Sequence, residues 1–211
     1  MTTLAPPTPY PMRRSRIARQ LEASGLGPEN RCRNALRRGS PERALEILME
    51  AYGDDLYRYC RHLVRDPDLA SDVHQTAFVQ AYQAFGTFRG GSTFKTWLFG
   101  IARHRALDAI KVRRRRDLRF VAADESTAEV EDTARDAEDR LLAESRKQAL
   151  EDCVQHLAPR VRDALLLRFQ QEMSYVTMAQ VVKERAATLQ ARVARALPIL
   201  RRCLEDRGVE E

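Results

Sequence analysis

The chain has 211 residues, of which 44% are hydrophobic and 31% charged, and its mean hydropathy is −0.50. This length favours one domain of ordinary size or two small ones, and the composition is typical of a globular protein with real cores. No apolar run approaches the roughly 18 residues of a membrane span, and the stretch after Arg13 and Arg14 is too polar for an export signal. The sequence therefore predicts a cytoplasmic protein without membrane insertion.

The charges are segregated along the chain. The net charge is +6 and the isoelectric point is about 9.4, which indicates an anionic partner without identifying it. Residues 103–119 contain eight Lys or Arg against two Asp, whereas residues 121–139 contain eight Asp or Glu against one Arg. The first stretch is a candidate for contact with nucleic acid, and the second is predicted to be a flexible acidic linker.

Helix start signals and apolar spacing organise the first half of the chain. Residues 1–30 hold five of the nine prolines and are predicted to be a disordered basic extension. Ser40 followed by Pro41 predicts the start of a long amphipathic helix, and Asp66 followed by Pro67 predicts the start of the next. Residues 85–93 contain three glycines and form a predicted loop, after which Ser92 or Thr93 caps a helix that ends in the basic stretch.

Helical signals return at about residue 140. They predict one helix over 141–157, another that restarts at Pro159, a short helix capped by Ser174, and a final helix. In the final helix Arg185, Thr188, Arg192 and Arg195 share one polar stripe, which suits either a helix in the major groove or a solvated cationic face. The predicted fold is all-α: two small helical domains joined by a flexible acidic linker, the second containing a helix-turn-helix. The predicted ranges are extension 1–30, first domain 31–118, linker 119–139 and second domain 140–207.

Aromatic residues and glycines meet at the loop before the basic helix. Phe94 and Trp97 are expected to pack in the core, whereas Phe88, Arg89 and residues 90–93 are the better candidates for an exposed surface. Capturing an unstacked base requires a snug pocket beside a basic flank, and this stretch supplies both.

The sequence gives little support for catalysis. There is no glycine-rich phosphate loop and no arguable Ser-His-Asp arrangement, and the four histidines lack metal-ligand spacing. We therefore expect no enzyme activity, catalytic residue, metal, cofactor or small-molecule substrate. The four cysteines are scattered without a CxxC pair and are expected to be reduced and mostly buried, with a disulfide or redox switch as the alternative.

The sequence resembles a bacterial sigma factor of the sigma-70 family, in its compact extracytoplasmic-function group. Four blocks are similar to the family pattern: 33–64, 68–85, 88–116 and 157–196. The resemblance is most visible in Phe94, Trp97-Leu98, Ile101-Ala102-Arg103, Leu107-Asp108 and the arginine run 113–116. The second domain adds Leu157-Ala158-Pro159-Arg160 and Ala164-Leu165-Leu166-Leu167-Arg168.

The resemblance implies a function and its site residues. A sigma factor binds core RNA polymerase and directs it to promoter DNA, where it recognises and opens the minus-ten element and contacts the minus-thirty-five element. The implied polymerase-binding residues are Asp68, Asp72, Gln75 and Phe78. The implied minus-ten residues are Phe88, Arg89, Ser92, Thr93, Lys95, Trp97, Arg103, His104, Lys111 and Arg113. The implied minus-thirty-five residues are Arg185, Thr188, Gln190, Arg192 and Arg195.

The chain departs from the family pattern in the second domain. The turn of its helix-turn-helix usually contains a glycine, but the aligned stretch here is Val182-Lys183-Glu184-Arg185, which predicts a non-glycine residue in a left-handed conformation. Pro198 is predicted to kink or shorten the last helix. Anti-sigma factors are common partners in this family, and the sequence identifies none.

Two other functions stay open on the residues alone. A stand-alone helix-turn-helix regulator would bind duplex DNA without the polymerase, and a helical interaction protein would support no transcript. Association with core polymerase and run-off transcription distinguish them.

Overall fold

The computed structural model describes residues 27–119 and 137–209, with side chains over 27–116 and 144–209. The predicted extension and most of the predicted acidic linker lie outside these residues. The described residues are helical and contain no strand, as predicted from the sequence. The helices are α1 Pro28–Arg37, α2 Pro41–Val64, α3 Pro67–Ala84, α4 Phe94–Arg119, α5 Ala137–Gln155, α6 Pro159–Leu165, α7 Tyr175–Val182 and α8 Ala186–Glu205. A 3-10 turn, Phe85–Thr87, follows α3, and a π-helix, Leu166–Gln170, follows α6. None of the described helices is long and apolar enough to cross a membrane.

The described chain divides into two units, with the boundary inside α2 between Ala51 and Tyr52. In the first unit, α1 and the start of α2 contribute buried apolar side chains. The Cys32 thiol lies 3.8 Å from the carbonyl oxygen of Ala44, and burial raises its pKa to about 12. Cys32 is therefore a protonated, unreactive thiol at neutral pH.

In the second unit, capping side chains set the starts of α3 and α4. One carboxylate oxygen of Asp66, Oδ1, accepts a hydrogen bond of 2.9 Å from the backbone N–H of Leu69 and so caps α3 as predicted. The hydroxyl of Thr93 accepts one of 3.1 Å from the N–H of Thr96 and so caps α4. These bonds satisfy backbone donors that have no partner within their own helix.

The apolar faces of α2, α3 and α4 pack together as the periodicity predicts. The fully buried side chains include Leu56, Tyr59, Leu63, Ala77, Ala81, Phe94, Leu98 and Ala102. This packing directs the polar side of α3 and the basic side of α4 outward.

Helices α7 and α8 form the predicted helix-turn-helix. The hydroxyl of Ser174 accepts a hydrogen bond of 3.1 Å from the N–H of Thr177 and starts α7. At its other end Lys183 has φ 61° and ψ 35°, which confirms the predicted left-handed residue at the turn. A side chain in this conformation costs roughly 1–2 kcal/mol, which the packing of both helices offsets.

Of the two effects predicted for Pro198, a kink or a shorter helix, the shorter helix is wrong. Helix α8 continues past Pro198 to Glu205. Proline removes one N–H donor and crowds the carbonyl four residues earlier, here that of Ala194. Both Pro198 and Ala194 are exposed, so water can satisfy that carbonyl.

The expectation of four reduced cysteines is also wrong. Cys153 of α5 and Cys203 of α8 form a disulfide, with Cα atoms 5.9 Å apart. Cys32 and Cys60 are free and buried, as expected. The two paired residues are 50 positions apart in the sequence, so no local spacing indicated the bridge.

Candidate functional site

The outer face of α3 is polar and accessible. Asp68, Asp72 and Gln75, three of the predicted polymerase-binding residues, are exposed there. The fourth, Phe78, is only 5% exposed and packs edge-on against the ring of His74, with centroids 5.1 Å apart. We therefore correct the assignment of Phe78 to this surface, because its ring belongs to the core.

Three aromatic rings meet where the loop enters α4. The Phe88 ring stacks on the Phe94 ring with centroids 4.3 Å apart, and the Trp97 ring lies 4.9 Å from Phe88. Phe94 is 1% exposed, whereas Phe88 and Trp97 are half-buried. The cluster thus has one ring in the core and two that reach the surface, where stacking on a base is possible.

The loop beside the aromatic cluster offers polar groups to solvent. Arg89 and Thr93 are exposed and Ser92 is half-buried. Gly90 has φ 74°, a conformation that glycine adopts without strain. The Thr93 hydroxyl is engaged in capping α4, and the Ser92 hydroxyl donates to the carbonyl oxygen of Thr93 at 3.3 Å, so Arg89 is the better donor for a ligand.

The basic side of α4 is paired with carboxylates of this chain. Asp108 accepts from Lys111 Nζ at 3.3 Å and lies 3.2 Å from Nδ1 of His104. Arg113 Nη1 donates to Oδ2 of Asp66 at 2.8 Å. The side chains of His104, Lys111 and Arg113 are 50–72% exposed, and exposed ion pairs contribute only about 0–1 kcal/mol. A DNA phosphate could therefore replace these carboxylates at small cost.

Arg103 is placed differently from the other predicted minus-ten residues. Its Nε donates a hydrogen bond of 2.6 Å to Oδ2 of Asp163 in α6, and its side chain is only 13% exposed. The Tyr59 hydroxyl donates to Oδ1 of the same carboxylate at 2.7 Å. Burial raises the pKa of Asp163 against the opposing effects of Arg103 and Tyr59, and burial raises the pKa of Tyr59 well above its usual value. A buried carboxylate from α6 thus joins α2 and α4.

Further contacts connect α4 to the C-terminal helices. Lys95 Nζ lies 3.5 Å from the carbonyl oxygen of Gln171, at hydrogen-bonding distance. A cleft of about 740 Å³ separates two parts of the chain. The aromatic loop and the start of α4 form one side, and the end of α7 forms the other. Its lining includes Phe88, Trp97 and Arg103 on one side and Val182 and Lys183 on the other. The predicted minus-ten surface therefore faces the helix-turn-helix in this structure.

The end of the π-helix and the residue after it place two glutamines against α2. Gln170 Nε2 lies 2.7 Å from Nδ1 of His62, and Gln171 Nε2 donates to the carbonyl oxygen of Asp55 at 3.3 Å. Burial lowers the pKa of His62 below its usual 6.5.

We expect acid to weaken this contact through His62. A histidine whose folded pKa lies below its unfolded value contributes stability that is present above pH 6.5 and lost as pH falls through the folded pKa. Chemical unfolding between pH 8 and pH 5 should therefore show wild type losing stability relative to His62→Gln. A constant difference between the two proteins over that range would contradict this assignment.

Most of the predicted minus-thirty-five residues are exposed on α8 or at the residue that precedes it. Arg185, Thr188, Gln190 and Arg195 are exposed. Arg192 is 17% exposed, and its Nη2 donates to the carboxylate of Glu184 at 2.5 Å. Four of the five residues are thus accessible to DNA. Arg192 instead forms an ion pair with Glu184 in the turn that precedes α8.

Sequence reasoning missed the residues that join α6 and the π-helix to α2 and α4. Asp163 is the most informative, because it directly precedes the apolar residues 164–167, and a carboxylate there is unusual unless it has a buried partner. That signal was present, but nothing in the sequence identified Tyr59 or Arg103 as the partners.

Comparisons with known proteins agree on one family. Residues 48–116 match the model for sigma-70 region 2, and residues 147–198 match a model for sigma-70 region 4. The chain is 30% identical over 173 residues to the RNA polymerase sigma-H factor of Pseudomonas aeruginosa, covering 78% of this chain and 88% of that protein. It is 25% identical over 165 residues to the ECF RNA polymerase sigma factor SigX of Bacillus subtilis, covering 78% and 85%. Among solved structures, the sigma factor RpoE of Bartonella quintana in complex with the anti-sigma factor NepR superposes with a TM-score of 0.62 at 22% identity, covering 74% of this chain and 94% of that one.

Proposed function

Since the chain belongs to the sigma-70 family of RNA polymerase sigma factors, in its extracytoplasmic-function group, we propose how its surfaces divide the work of promoter-specific transcription initiation. The exposed face of α3 binds core polymerase. The loop 88–95 and the basic side of α4 hold the minus-ten element, and the outer face of α8 reads the minus-thirty-five element. The chain acts by binding rather than by catalysis of its own.

The half-exposed aromatic cluster is the observation that supports this proposal most directly. A flipped base needs a flat apolar surface to replace the stacking that it loses, at a cost of a few kcal/mol. Phe88 and Trp97 present ring surface at the mouth of a cleft, and Phe94 holds them from the core side. Arg89 at the rim would neutralise the phosphate next to the captured base.

Binding of the minus-ten element requires separation of α4 from the C-terminal helices. Arg103 donates to Asp163, and the cleft that would receive the base is lined on its other side by α7. Helix α7 covers that side of the cleft, and the Arg103 guanidinium is held by Asp163 rather than free for a phosphate. We therefore assign the arrangement described here to the chain before it binds DNA, with core polymerase supplying the energy that separates the two parts.

Tethering of two DNA-binding parts on one polymerase accounts for promoter affinity. Each contact by itself is weak, and the segment between α4 and α5 converts the second contact into an intramolecular event at high effective concentration. The predicted domain ranges, 31–118 and 140–207 with the linker 119–139, are part of this proposal.

The docking surface can be tested by replacing Asp72 and Gln75 together with alanine. Both side chains are exposed, so the variant should keep its helical content while its affinity for core polymerase falls on the order of tenfold. The matched control is Glu144→Ala with Gln148→Ala, an exposed acid and glutamine on α5. Binding to purified core enzyme and run-off transcription measure the effect.

The comparison of the two double variants decides the assignment. Equal affinities of both variants and wild type for core enzyme would rule out this face of α3. A wild-type chain that shifts duplex DNA but never associates with core enzyme would instead indicate a stand-alone regulator.

A further inference from the structure

The disulfide fixes a part of α8 that has little apolar packing. The recognition half of the helix, before Pro198, contributes the buried residues Leu189, Val193 and Ala196. None of residues 198–209 is buried, and Ile199 is 59% exposed. The bond between Cys203 and Cys153 therefore holds the second half of α8 against α5, where apolar burial does not.

An ion pair accompanies the disulfide but cannot replace it. Arg207 Nη1 donates to Oδ2 of Asp152 at 2.6 Å, and both side chains are 37% exposed. Exposed pairs contribute little and weaken with salt. Without the covalent link, we expect the end of α8 and the end of α5 to separate readily.

The chemistry of the four cysteines makes this pair the selective target of oxidation. Cys32 and Cys60 are buried free thiols, and burial raises the pKa of each to about 12, so neither forms the reactive thiolate at neutral pH. Cys153 is 1% exposed, but Cys203 is partly accessible. A small thiol or peroxide can thus reach the pair through the sulfur of Cys203.

We propose that Cys153 and Cys203 form a reversible thiol–disulfide couple that sets the stability of the helix-turn-helix and, through it, recognition of the minus-thirty-five element. The second part of this inference rests on the proposed function. In the oxidised form the loop of 50 residues is closed and α8 is held on α5. In the reduced form α8 is anchored only by its first half, and the recognition face is less well ordered.

The redox step balances with hydrogen peroxide as the oxidant. The thiolate of one cysteine attacks a peroxide oxygen, which leaves a sulfenic acid and releases hydroxide; this hydroxide takes up the proton that the thiol had lost and becomes water. The second thiol then attacks the sulfenic sulfur and forms the disulfide, and the departing hydroxide takes the proton of that thiol as a second water. Reduction proceeds by attack of an external thiolate on the Cys203 sulfur, which expels the Cys153 thiolate and leaves a mixed disulfide. A second external thiol attacks the external sulfur of that mixed disulfide, which forms the external disulfide and releases Cys203 as a thiol.

The couple can be tested on the full-length protein treated with hydrogen peroxide or with dithiothreitol. Alkylation in denaturant followed by intact mass should count two free thiols in the oxidised form and four in the reduced form. We expect reduction to lower the melting temperature by at least about 5 °C, because it opens a long loop in a small domain. In complex with core polymerase, the reduced form should bind minus-thirty-five DNA several-fold more weakly, with minus-ten binding unchanged.

Two variants keep the test sharp. Cys203→Ala removes the less buried cysteine of the pair, so the variant should still fold. Its melting temperature should equal that of reduced wild type and should not change with either reagent. Cys32→Ser with Cys60→Ser should keep the full response. Four free thiols after peroxide, or equal melting temperatures in the two states, would overturn the couple. Equal minus-thirty-five binding in both states would overturn its link to recognition.

The test also separates this inference from the proposed function. A chain that supports no transcription in either redox state would contradict the proposed function. The thiol counts and the melting temperatures would still support the couple.

Discussion

Replacing Asp163 with alanine is expected to release α4 from the C-terminal helices. Asp163 is 1% exposed and accepts hydrogen bonds from both Arg103 and Tyr59. Its loss leaves a guanidinium in a largely buried site without its carboxylate, a change that typically costs about 3–5 kcal/mol. Since this pair joins α4 to α6, most of the cost should fall on the contact between them.

Hydrogen exchange and DNA binding should both report this release. Amides of α6 and the π-helix should exchange faster in Asp163→Ala than in wild type. A single-stranded minus-ten oligonucleotide should bind more tightly, because Arg103 and the cleft become accessible without core polymerase. The two measurements together separate opening from a general loss of structure, which would weaken binding.

Asp108→Ala is the matched control for Asp163→Ala. It removes a carboxylate from α4 that pairs with His104 and Lys111, but at a site where the partners are exposed. The expected loss of stability is below about 1 kcal/mol, with no change in the exchange of α6. Similar exchange patterns in the two variants would mean that the buried pair does not hold these helices together.

Replacing Arg185 and Arg195 together with alanine is expected to remove discrimination of the minus-thirty-five element. Both side chains are exposed, Arg185 at the residue before α8 and Arg195 within it, and a bidentate arginine–guanine contact discriminates by about 1–3 kcal/mol. Affinity of the holoenzyme for a consensus upstream element should fall at least about tenfold relative to a scrambled one, with an unchanged melting temperature. Competition binding with the two DNA sequences measures the ratio.

Two controls define the role of these arginines. Arg201→Ala with Arg202→Ala removes the same charge from the far end of α8, so it should keep the preference for the consensus element. Arg192→Ala should instead lower the melting temperature, because Arg192 is tied to Glu184 across the turn. If the far-end variant loses discrimination as strongly as Arg185→Ala with Arg195→Ala, the outer face of α8 does not read sequence.

Local sequence signals predicted the helices well. They did not identify which side chains pair across long sequence separations. Asp66 and Ser174 cap helices as expected, because a cap depends on residues only three positions apart. The Asp163 contacts join residues 60 and 104 positions apart, and the disulfide joins residues 50 apart. Periodicity indicates that a side chain faces inward but not which side chain it meets.

Errors at single residues have the same physical origin. Phe78 follows the buried Ala77 around α3, and a helical turn of about 100° per residue leaves such a position at the boundary between core and surface. Its burial depends on how the neighbouring helix packs, which the sequence of α3 alone does not reveal. Pro198 similarly breaks a helical pattern only where the lost hydrogen bond cannot be replaced by solvent.

Asp66 accepts hydrogen bonds from two neighbours through different carboxylate oxygens, so one bond can break without the other. Oδ1 accepts from the backbone of Leu69, while Oδ2 accepts from Arg113. When a nucleotide draws Arg113 away, the first bond can persist and α3 keeps its start. If α3 binds core polymerase and Arg113 binds DNA, as we propose, promoter binding at this end of α4 leaves the start of α3 intact, and neither binding event disturbs the other.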